Sequence, residues 1–228
     1  MTIGEIVASD FRTASIFREA GIDFCCGGKQ TVEETCLEKG IDKTELLISL
    51  EKIKSVPDTS NHNFIDWDPV FLCDYIVNTH HKFVLKSLPD LMFYTQKIAD
   101  VHGKNHPELI TVADLFSQIN NELLQHMKNE EEVLFPAIKK AFSKDPGSSD
   151  SIIKPEITRL SGEHEFAGGA MDRINVITSS YAVPADGCNT YTVTFRLLRE
   201  FEDDLHVHVH LENNILFPKA LNKTTELN

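Results

Sequence analysis

Hydrophobic positions recur every three or four residues along four long stretches of the chain: 68–101, 108–143, 151–180 and 190–222. This spacing is typical of amphipathic helices that bury one face. The connections HGKNHPE, SKDPGSSD and AVPADGCN are rich in turn-forming residues. The best strand-like alternation is YTVTF at 191–195, which we interpret as the start of a helix. Four long helices with short connections predict an all-α, up-down four-helix bundle over residues 67–222.

The first 56 residues (1–56) predict a small helical domain of their own. Its first part carries apolar residues at helical spacing, namely Ile3, Ile6, Val7, Phe11, Ile16 and Phe17. After a Cys-Cys-Gly-Gly turn the pattern resumes and predicts two more helices, which carry Val32, Leu46, Leu47, Leu50 and Ile53. Residues 57–66 are polar and begin with a proline, so we interpret them as a linker.

The composition narrows the choice of partners and compartment. The chain has 228 residues, with 22 basic and 35 acidic side chains and a formal net charge of −13. This excess repels phosphate and anionic lipid, so we expect neither nucleic acid nor a membrane as a partner. The start, MTIGEIVASD, lacks the basic and apolar regions of a secretory signal. We therefore expect a cytoplasmic protein whose five cysteines are reduced thiols rather than a disulfide framework.

Two of the predicted helices share a pattern that combines histidine with glutamate. The segments HMKNEEEVLFP and HVHLENNILFP align on Leu-Phe-Pro with an offset of 82 residues. This offset relates His126 to His208 and Glu130 to Glu212. It also relates four apolar pairs: Phe116 and Leu198, Ile119 and Phe201, Leu123 and Leu205, and Val133 and Ile215. These positions form one stripe on each helix, so we expect each His and Glu to face the core side by side.

A histidine also occupies the apolar stripe of each of the other two helices. His164 shares its stripe with Ile153, Ile157, Leu160, Met171 and Ile174. The residue 83 positions earlier is His81; its neighbour His80 is an alternative, and the register of the repeat favours His81. The bundle thus consists of two predicted hairpins, each of which offers two histidines and one glutamate.

Four imidazoles and two carboxylates in a dry core indicate a metal site. A single buried histidine is usually just hydrogen-bonded, but a buried carboxylate without a partner costs several kcal/mol. Six nitrogen and oxygen ligands, with two carboxylates that can bridge, suit a pair of transition-metal ions. No cysteine lies in the stripes, which disfavours structural zinc. Imidazole combined with carboxylate favours iron, with manganese second.

Other histidines and acidic residues near these positions have different predicted roles. His206 and His210 lie two residues from His208, on other faces of the helix, so we expect them to face solvent or to surround the ligands. They can also bind metal adventitiously. Four glutamates flank the ligand positions and are expected to be mostly surface charge, with Glu163 or Glu165 as alternative proton relays on an access path: Glu131, Glu132, Glu163 and Glu165.

The tetrapeptide Cys25-Cys26-Gly27-Gly28 has a functional and a structural interpretation. The glycines leave the thiols uncrowded, and the neighbouring Lys29 is expected to favour the thiolate form. On the functional interpretation, Cys25 and Cys26 are a mobile pair that handles iron, nitrosyl or redox equivalents near the bundle. On the structural one, they are small residues in a tight turn. Cys36 and Cys73 are expected to be packing residues and Cys188 a loop thiol.

These motifs together resemble those of the repair of iron centres (RIC) family of hemerythrin-like di-iron proteins. The resemblance runs nearly end to end and includes FCCGGKQT, HHKFVLKSLPDL, HMKNEEEVLFP, GEHEFAGG and HLENNILFP. It implies a hemerythrin-like bundle with two non-haem irons, bridged by an oxo group and by Glu130 and Glu212. It further implies terminal ligands from four histidines: His81, His126, His164 and His208.

The resemblance implies a role in restoring iron–sulfur clusters damaged by nitric oxide or peroxide, with the damaged proteins as partners. In this hypothesis iron leaves the bundle, relayed by Cys25 and Cys26. The first alternative is an enzyme that reduces nitric oxide at the paired irons. The second is a hemerythrin-like oxygen or redox sensor without turnover. Iron storage fits poorly because two irons per 228 residues is a small capacity. The sequence leaves open whether the chain forms a homodimer.

Overall fold

The computed structural model describes residues 1–55, 63–143 and 150–226. Within them it contains eleven α-helices and no strand, so the all-α prediction is confirmed. The helices of the first part are α1 (Ile3–Ser9), α2 (Thr13–Glu19), α3 (Val32–Lys39) and α4 (Lys43–Lys54). Those of the bundle are α5 (Pro69–Ile76), α6 (Lys82–His102), α7 (Glu108–Asn129), α8 (Phe135–Ala141), α9 (Asp150–Ile177), α10 (Asn189–Leu211) and α11 (Phe217–Glu226).

Four helical rods build the bundle, as the periodicity predicts. Helices α5 and α6 form the first rod, α7 and α8 the second, α9 the third, and α10 and α11 the fourth. The segment YTVTF lies in the first turns of α10, which confirms its interpretation as a helix start. Of the described helices, none is long and apolar enough to cross a bilayer.

Three of the rods are interrupted by single π-helical turns, over Val77–His81, Glu130–Leu134 and Glu212–Leu216. In two of them the first residue after the turn donates its N–H to the carbonyl five residues back: Phe135 to Glu130 and Phe217 to Glu212. The next residue in each case is a proline, which has no N–H to give and crowds an ordinary α-helical turn. The repeated Leu-Phe-Pro motif therefore marks the wide turns.

The wide turn corrects one predicted core position. An extra residue in a turn shifts the buried stripe of everything that follows it. Val133, which the ideal helix pattern places in the core, is 40% exposed, whereas Leu134 and Phe135 are buried. The prediction for Val133 is therefore wrong. Its partner in the repeat, Ile215, is buried as expected because α1 packs on the wide turn that contains it.

Residues 1–55, called the N-terminal unit below, form four helices with well-defined ends. Thr2 and Thr31 cap α1 and α3, and in both cases a glutamate three residues later completes the capping box. Gly40 ends α3 in the left-handed region, with φ 67°, which a glycine adopts without strain. Asp42 then accepts hydrogen bonds from the first amides of α4.

The N-terminal unit packs directly on the bundle. Phe17 and Phe24 belong to the same apolar core as Leu88 and Phe201 of the bundle helices. Residues 57–62 of the predicted linker lie outside the described residues. Its last part, Phe64–Asp66, forms a 3₁₀ turn in which Phe64 is buried among the aromatic residues of the bundle.

A polar layer separates two apolar cores inside the bundle. One core contains residues of α6, α7, the second part of α9 and most of α10, together with the N-terminal unit. The other contains residues of α5, α8, α11 and the first part of α9. The six histidines and glutamates predicted as ligands lie between the two cores and are shielded from solvent on both sides.

Candidate metal centre

Six buried side chains meet in the polar layer, and all are at most 1% exposed. They are the residues that the sequence pattern singles out: His81, His126, Glu130, His164, His208 and Glu212. They form two groups that share both glutamates. In each group one ligand atom per residue can be chosen so that all the atoms lie within 4.8 Å of one another. We call these six residues the candidate metal centre.

Each glutamate of the candidate metal centre stands between histidines of different rods. Glu130 Oε2 is 3.2 Å from His126 Nε2 on its own rod and 3.3 Å from His81 Nε2 on another. Glu212 Oε1 is 3.1 Å from His208 Nε2, and Glu212 Oε2 is 3.1 Å from His164 Nε2. Glu212 thus directs one carboxylate oxygen toward each of two histidines, whereas Glu130 directs Oε2 toward both of its histidines.

The remaining ring nitrogens show which tautomer each histidine adopts. His81 Nδ1 is 2.8 Å from Glu131, and His126 Nδ1 is 2.8 Å from Glu163. A carboxylate only accepts, so both Nδ1 atoms carry the hydrogen and both Nε2 atoms of the neutral rings keep a lone pair. Such outer partners orient metal-binding imidazoles and raise their basicity. His164 Nδ1 donates to Asn213 at 3.0 Å and is oriented in the same way.

The interior of the centre contains polar atoms that the protein itself does not satisfy. His81 Nε2, both carboxylate oxygens of Glu130 and Glu212 Oε2 are buried without a hydrogen bond of good geometry. The Nε2 atoms of His126 and His164 are 2.9 Å apart, although neither neutral ring has a hydrogen there to donate. These donors fit cations placed between them, because a cation satisfies facing lone pairs and buried carboxylates together.

Without a metal, protons take the place of the cations. Burial by itself lowers the pKa of His126, but the charge of Glu130 and the hydrogen bonds to Glu130 and Glu163 outweigh it and raise the pKa to about 10. Burial also lowers the pKa of His81, but the hydrogen bonds and charges of the two central glutamates outweigh burial and raise this pKa to about 10. Metal binding at such ligands displaces protons, so protons and metal ions compete for the centre.

His80 lies outside the candidate metal centre. Its Nδ1 is 2.9 Å from Asp204 Oδ1, and its ring stacks on that of His208 with the centroids 5.6 Å apart. His81 is the member of the pair that points between the two central glutamates. The geometry therefore agrees with the register of the repeat, which favours His81.

His210 corrects a prediction about the surroundings of the ligands. Its side chain is fully buried and packs against Phe11 and Phe24 of the N-terminal unit, so the expectation that it faces solvent is wrong. Burial lowers its pKa to about 4. The periodicity of α10 alone does not reveal this burial, because the covering residues are nearly 200 positions away. His206 is half-buried, also beside Phe24.

The Cys-Cys-Gly-Gly loop lies against α9 at the candidate metal centre. Cys26 Sγ donates to the backbone carbonyl of His164 at 3.3 Å, and the two thiol sulfurs are 3.8 Å apart, with both cysteines free. Asp23 holds the loop by accepting from the amides of Cys25, Cys26 and Gly27. The sequence pattern gives no hint of this role for Asp23.

The expectation that Lys29 favours a thiolate is wrong for Cys25. The pKa of Cys25 is raised well above its usual value by the hydrogen bond with Cys26, by burial and by the charge of Asp23. Lys29 is exposed. Cys36 and Cys73 are buried and Cys188 is exposed, as predicted for packing residues and a loop thiol.

Asn214 fastens this loop to the bundle. Its side-chain amide donates to the carbonyl oxygens of Phe24 and Cys25, at 3.3 and 3.2 Å. Gly4 and Gly28 pack so closely on Asn214 that an added Cβ would lie 2.2 and 2.7 Å from its Oδ1. One π-helical turn thus carries a central glutamate, the partner of His164 and the anchor of the thiol loop: Glu212, Asn213 and Asn214.

Comparison with known proteins decides the family. Residues 74–220 match the hemerythrin HHE cation-binding domain, and residues 1–54 match a domain of unknown function named ScdA_N. The chain is 35% identical over 219 residues to the iron–sulfur cluster repair protein ScdA of Staphylococcus haemolyticus, which covers 95% of this chain and 96% of that protein. It is 33% identical over 223 residues to the iron–sulfur cluster repair protein YtfE of Pectobacterium atrosepticum, with 96% of each covered. This chain belongs to the RIC family.

Family membership confirms the resemblance drawn from the motifs. The bundle of this RIC protein is a hemerythrin-type cation-binding domain, and the matched residues include every member of the candidate metal centre. The match to ScdA_N ends at residue 54, close to the predicted end of the small domain. The buried cluster of histidine and glutamate gives the domain a donor set suited to metal ions.

Proposed function

We propose that this RIC protein repairs iron–sulfur clusters damaged by nitrosative or oxidative stress, and that it does so by supplying iron. The observation that carries the proposal is a fully buried set of four imidazoles and two shared carboxylates, in which His81 Nε2, both oxygens of Glu130 and Glu212 Oε2 lack hydrogen bonds. Relatives that cover nearly the whole chain are named iron–sulfur cluster repair proteins, which supports the same function.

The donor set supports two iron ions as the metal. His81 and His208 would bind one ion and His126 and His164 the other, with Glu130 and Glu212 between them. When bound, the pair of irons supplies exchangeable sites for small ligands such as nitric oxide or oxygen, and a store of ferrous iron. Imidazole and carboxylate without thiolate suit iron and manganese better than structural zinc.

The protein residues around the centre support release as well as binding. Two imidazoles and two carboxylates give each ion four protein ligands, and both carboxylates are shared with the other ion, so an iron that takes more than four ligands keeps positions open for exchange. Glu131 and Glu163 fix the orientation of His81 and His126 but remain at the edge of the centre, where protons from solvent reach them. The ligands lose metal when they gain protons. Glu131 and Glu163 therefore provide a path by which protons from solvent can replace the metal ions.

The thiol loop is placed to take part in iron transfer. The thiol of Cys26 contacts the backbone carbonyl of His164, whose side chain is a candidate ligand. A sensor or an oxygen carrier does not need such a thiol pair. We therefore assign Cys25 and Cys26 to the relay of iron toward the acceptor protein. The cytoplasmic location and the formation of a homodimer stay predictions.

The direct test is iron transfer. The protein is loaded anaerobically with ferrous iron, freed of excess iron, and mixed with an apo iron–sulfur protein and sulfide. We expect iron to leave the bundle and a cluster to form on the acceptor, faster than with the same iron held by a small-molecule chelator. Retention of all the iron would contradict the proposal. Consumption of nitric oxide without transfer would favour the enzyme, and neither activity would favour the sensor.

A further inference from the structure

A second cluster of potential metal ligands lies outside the candidate metal centre. Between the N-terminal unit and helices α9 and α10 there is a cavity of about 600 Å³. Three residues that line it offer one ligand atom each, with the three atoms within 4.8 Å of one another: Asp172, Glu202 and His206. None of them belongs to the candidate metal centre.

The helices explain why these three side chains meet. Glu202 and His206 are four residues apart on α10, so their side chains project side by side from one face. Asp172 approaches from α9, which packs on the same face. The pair repeats, in reverse order, the spacing that joins His126 to Glu130 in the main centre. Unlike the main centre, this cluster is only partly buried: Glu202 is buried, His206 is half-buried and Asp172 is exposed.

Glu202 is a buried carboxylate without a cation of its own. Its side chain is 6% exposed, and its carboxylate oxygens accept from the neutral amide of Asn175, at 3.0 and 3.3 Å. The nearby hydroxyl of Tyr181 is likewise neutral. Burial raises the pKa of Glu202, although Asn175 and the nearby His206 oppose this. Burial and the charge of Asp23 raise the pKa of Asp172 in the same way. Negative charge in this cavity is therefore only partly compensated.

The basic residues that line the cavity are engaged elsewhere or exposed. Arg18 pairs with Asp203 at 2.6 Å, and Arg199 donates to the backbone carbonyl of Ser180 at 2.7 Å. Lys39 lines the cavity from an exposed position. These contacts leave Glu202 without a salt bridge among the described residues.

Tyr181 is an independent sign that the cavity holds a polar ligand. Its side chain lines the cavity and is 5% exposed. Its hydroxyl lies near Glu202 and Asn175 but makes no hydrogen bond of good geometry within the described part of the chain. Burial and the charge of Glu202 raise its pKa. The residue is held there by backbone in the left-handed region, with φ 59°, which costs free energy for a tyrosine. A hydrated ion beside Glu202 would supply the water that this hydroxyl lacks.

We propose that Asp172, Glu202 and His206 bind a divalent transition-metal ion, with water completing its coordination. Two carboxylates and one imidazole favour Fe²⁺, Mn²⁺, Co²⁺ or Zn²⁺ over Mg²⁺ and Ca²⁺, which prefer oxygen ligands alone. The site binds more weakly than the main centre because it has three protein ligands and faces an open cavity. It lies beside Asp23, the residue that holds the loop of Cys25 and Cys26. This proposal is independent of the proposed function.

The test is calorimetric titration of Co²⁺ into protein whose main centre has already been saturated with metal. We expect one additional equivalent to bind. Glu202→Gln keeps the shape of the side chain and its contact with Asn175, and Asp172→Asn is equally conservative. Each should weaken the additional binding at least about tenfold, while the metal content of the main centre stays unchanged.

Asp203→Asn is the matched control, because Asp203 lines the same cavity but is paired with Arg18. It removes the same charge and should leave the additional binding nearly unchanged. No additional equivalent in the unsubstituted protein would overturn the proposal. Equal weakening by Asp203→Asn would also overturn it, because the ion would then respond only to net charge. Glu202 and Asp172 are not candidate ligands of the main centre, so failure of that centre to hold iron leaves this test intact.

Discussion

His126 and His164 face each other across the bundle with their Nε2 atoms 2.9 Å apart. Glu163 and Asn213 hold the opposite nitrogens of the two rings, so neither ring can turn away. Two neutral imidazoles in this arrangement direct lone pairs at each other, which is unfavourable unless a proton or a metal ion lies nearby. The pair therefore requires a bound proton or metal ion at this point of the polar layer.

Removal of a shared glutamate should empty the centre. Glu130→Ala or Glu212→Ala takes away the carboxylate that both groups of ligands use. The remaining charge does not neutralise two divalent ions, so we expect metal affinity to fall by more than the roughly 10–100-fold typical of outer partners. Metal content per chain after gel filtration measures this effect. Glu132→Ala, at an exposed position of the same turn, is the control. Full metal content in both variants would show that Glu130 and Glu212 are not shared metal ligands.

Replacement of the thiols should separate binding from repair. Cys25→Ser together with Cys26→Ser removes the sulfur of Cys26, which contacts the backbone carbonyl of His164, and the sulfur of Cys25 beside it; neither cysteine belongs to the candidate metal centre. We expect normal metal content in the bundle and slower transfer of iron to an apo acceptor protein. Parallel measurement of both quantities on one preparation checks this. A loss of iron equal to the loss of transfer would instead indicate that the thiols are ligands.

Loss of the Asn214 side chain should loosen the thiol loop. Asn214→Ala removes two hydrogen bonds to the backbone of the loop, each of which contributes about 0.5–1.5 kcal/mol. Opening of the loop should therefore become about 5- to 150-fold more frequent, and Cys25 should react faster with a thiol reagent by a similar factor. Asn213→Ala is the control, because it contacts His164 and not the loop. An unchanged reaction rate of Cys25 in Asn214→Ala would contradict the anchoring role.

Cys188 should be the most reactive thiol near neutral pH. Hydrogen bonds from the backbone amide of Tyr191 and from His102 lower its pKa to about 7, and the side chain is exposed. The thiolate is the reactive form, so its rate of alkylation should reach half of its plateau near pH 7 and level off above about pH 8. Cys36 and Cys73, which are buried and have raised pKa values, should react much more slowly. Peptide mass spectrometry of alkylated protein distinguishes the sites, and a rate for Cys188 that still rises steeply above pH 8 would contradict this prediction.

The sequence predicts the bundle and the six central residues because both depend on local periodicity. A histidine or glutamate in an apolar stripe must face the core, wherever the helix packs. The π-helical turns break this periodicity, so a stripe position within them is buried only where another element covers it. Ile215 is covered because α1 packs on its turn, whereas Val133 in the equivalent turn is exposed. The prolines of the Leu-Phe-Pro motif are the local signal for these turns.

Contacts between distant parts of the chain are what the sequence pattern does not reveal. His210 is buried by Phe11 and Phe24 of the N-terminal unit, and Asn214 acts on the carbonyl oxygens of the same unit. The high pKa of Cys25 likewise results from burial and from the position of Asp23 in the folded loop. Each of these features depends on packing between units, for which helical periodicity contains no information.

The central claim is that the buried histidines and glutamates hold two iron ions. Elemental analysis of the protein, after anaerobic reconstitution with ferrous iron and removal of unbound metal, tests it most directly. We predict two iron atoms per chain, both lost in Glu212→Ala. A fully folded chain that retains no metal under these conditions would contradict the account.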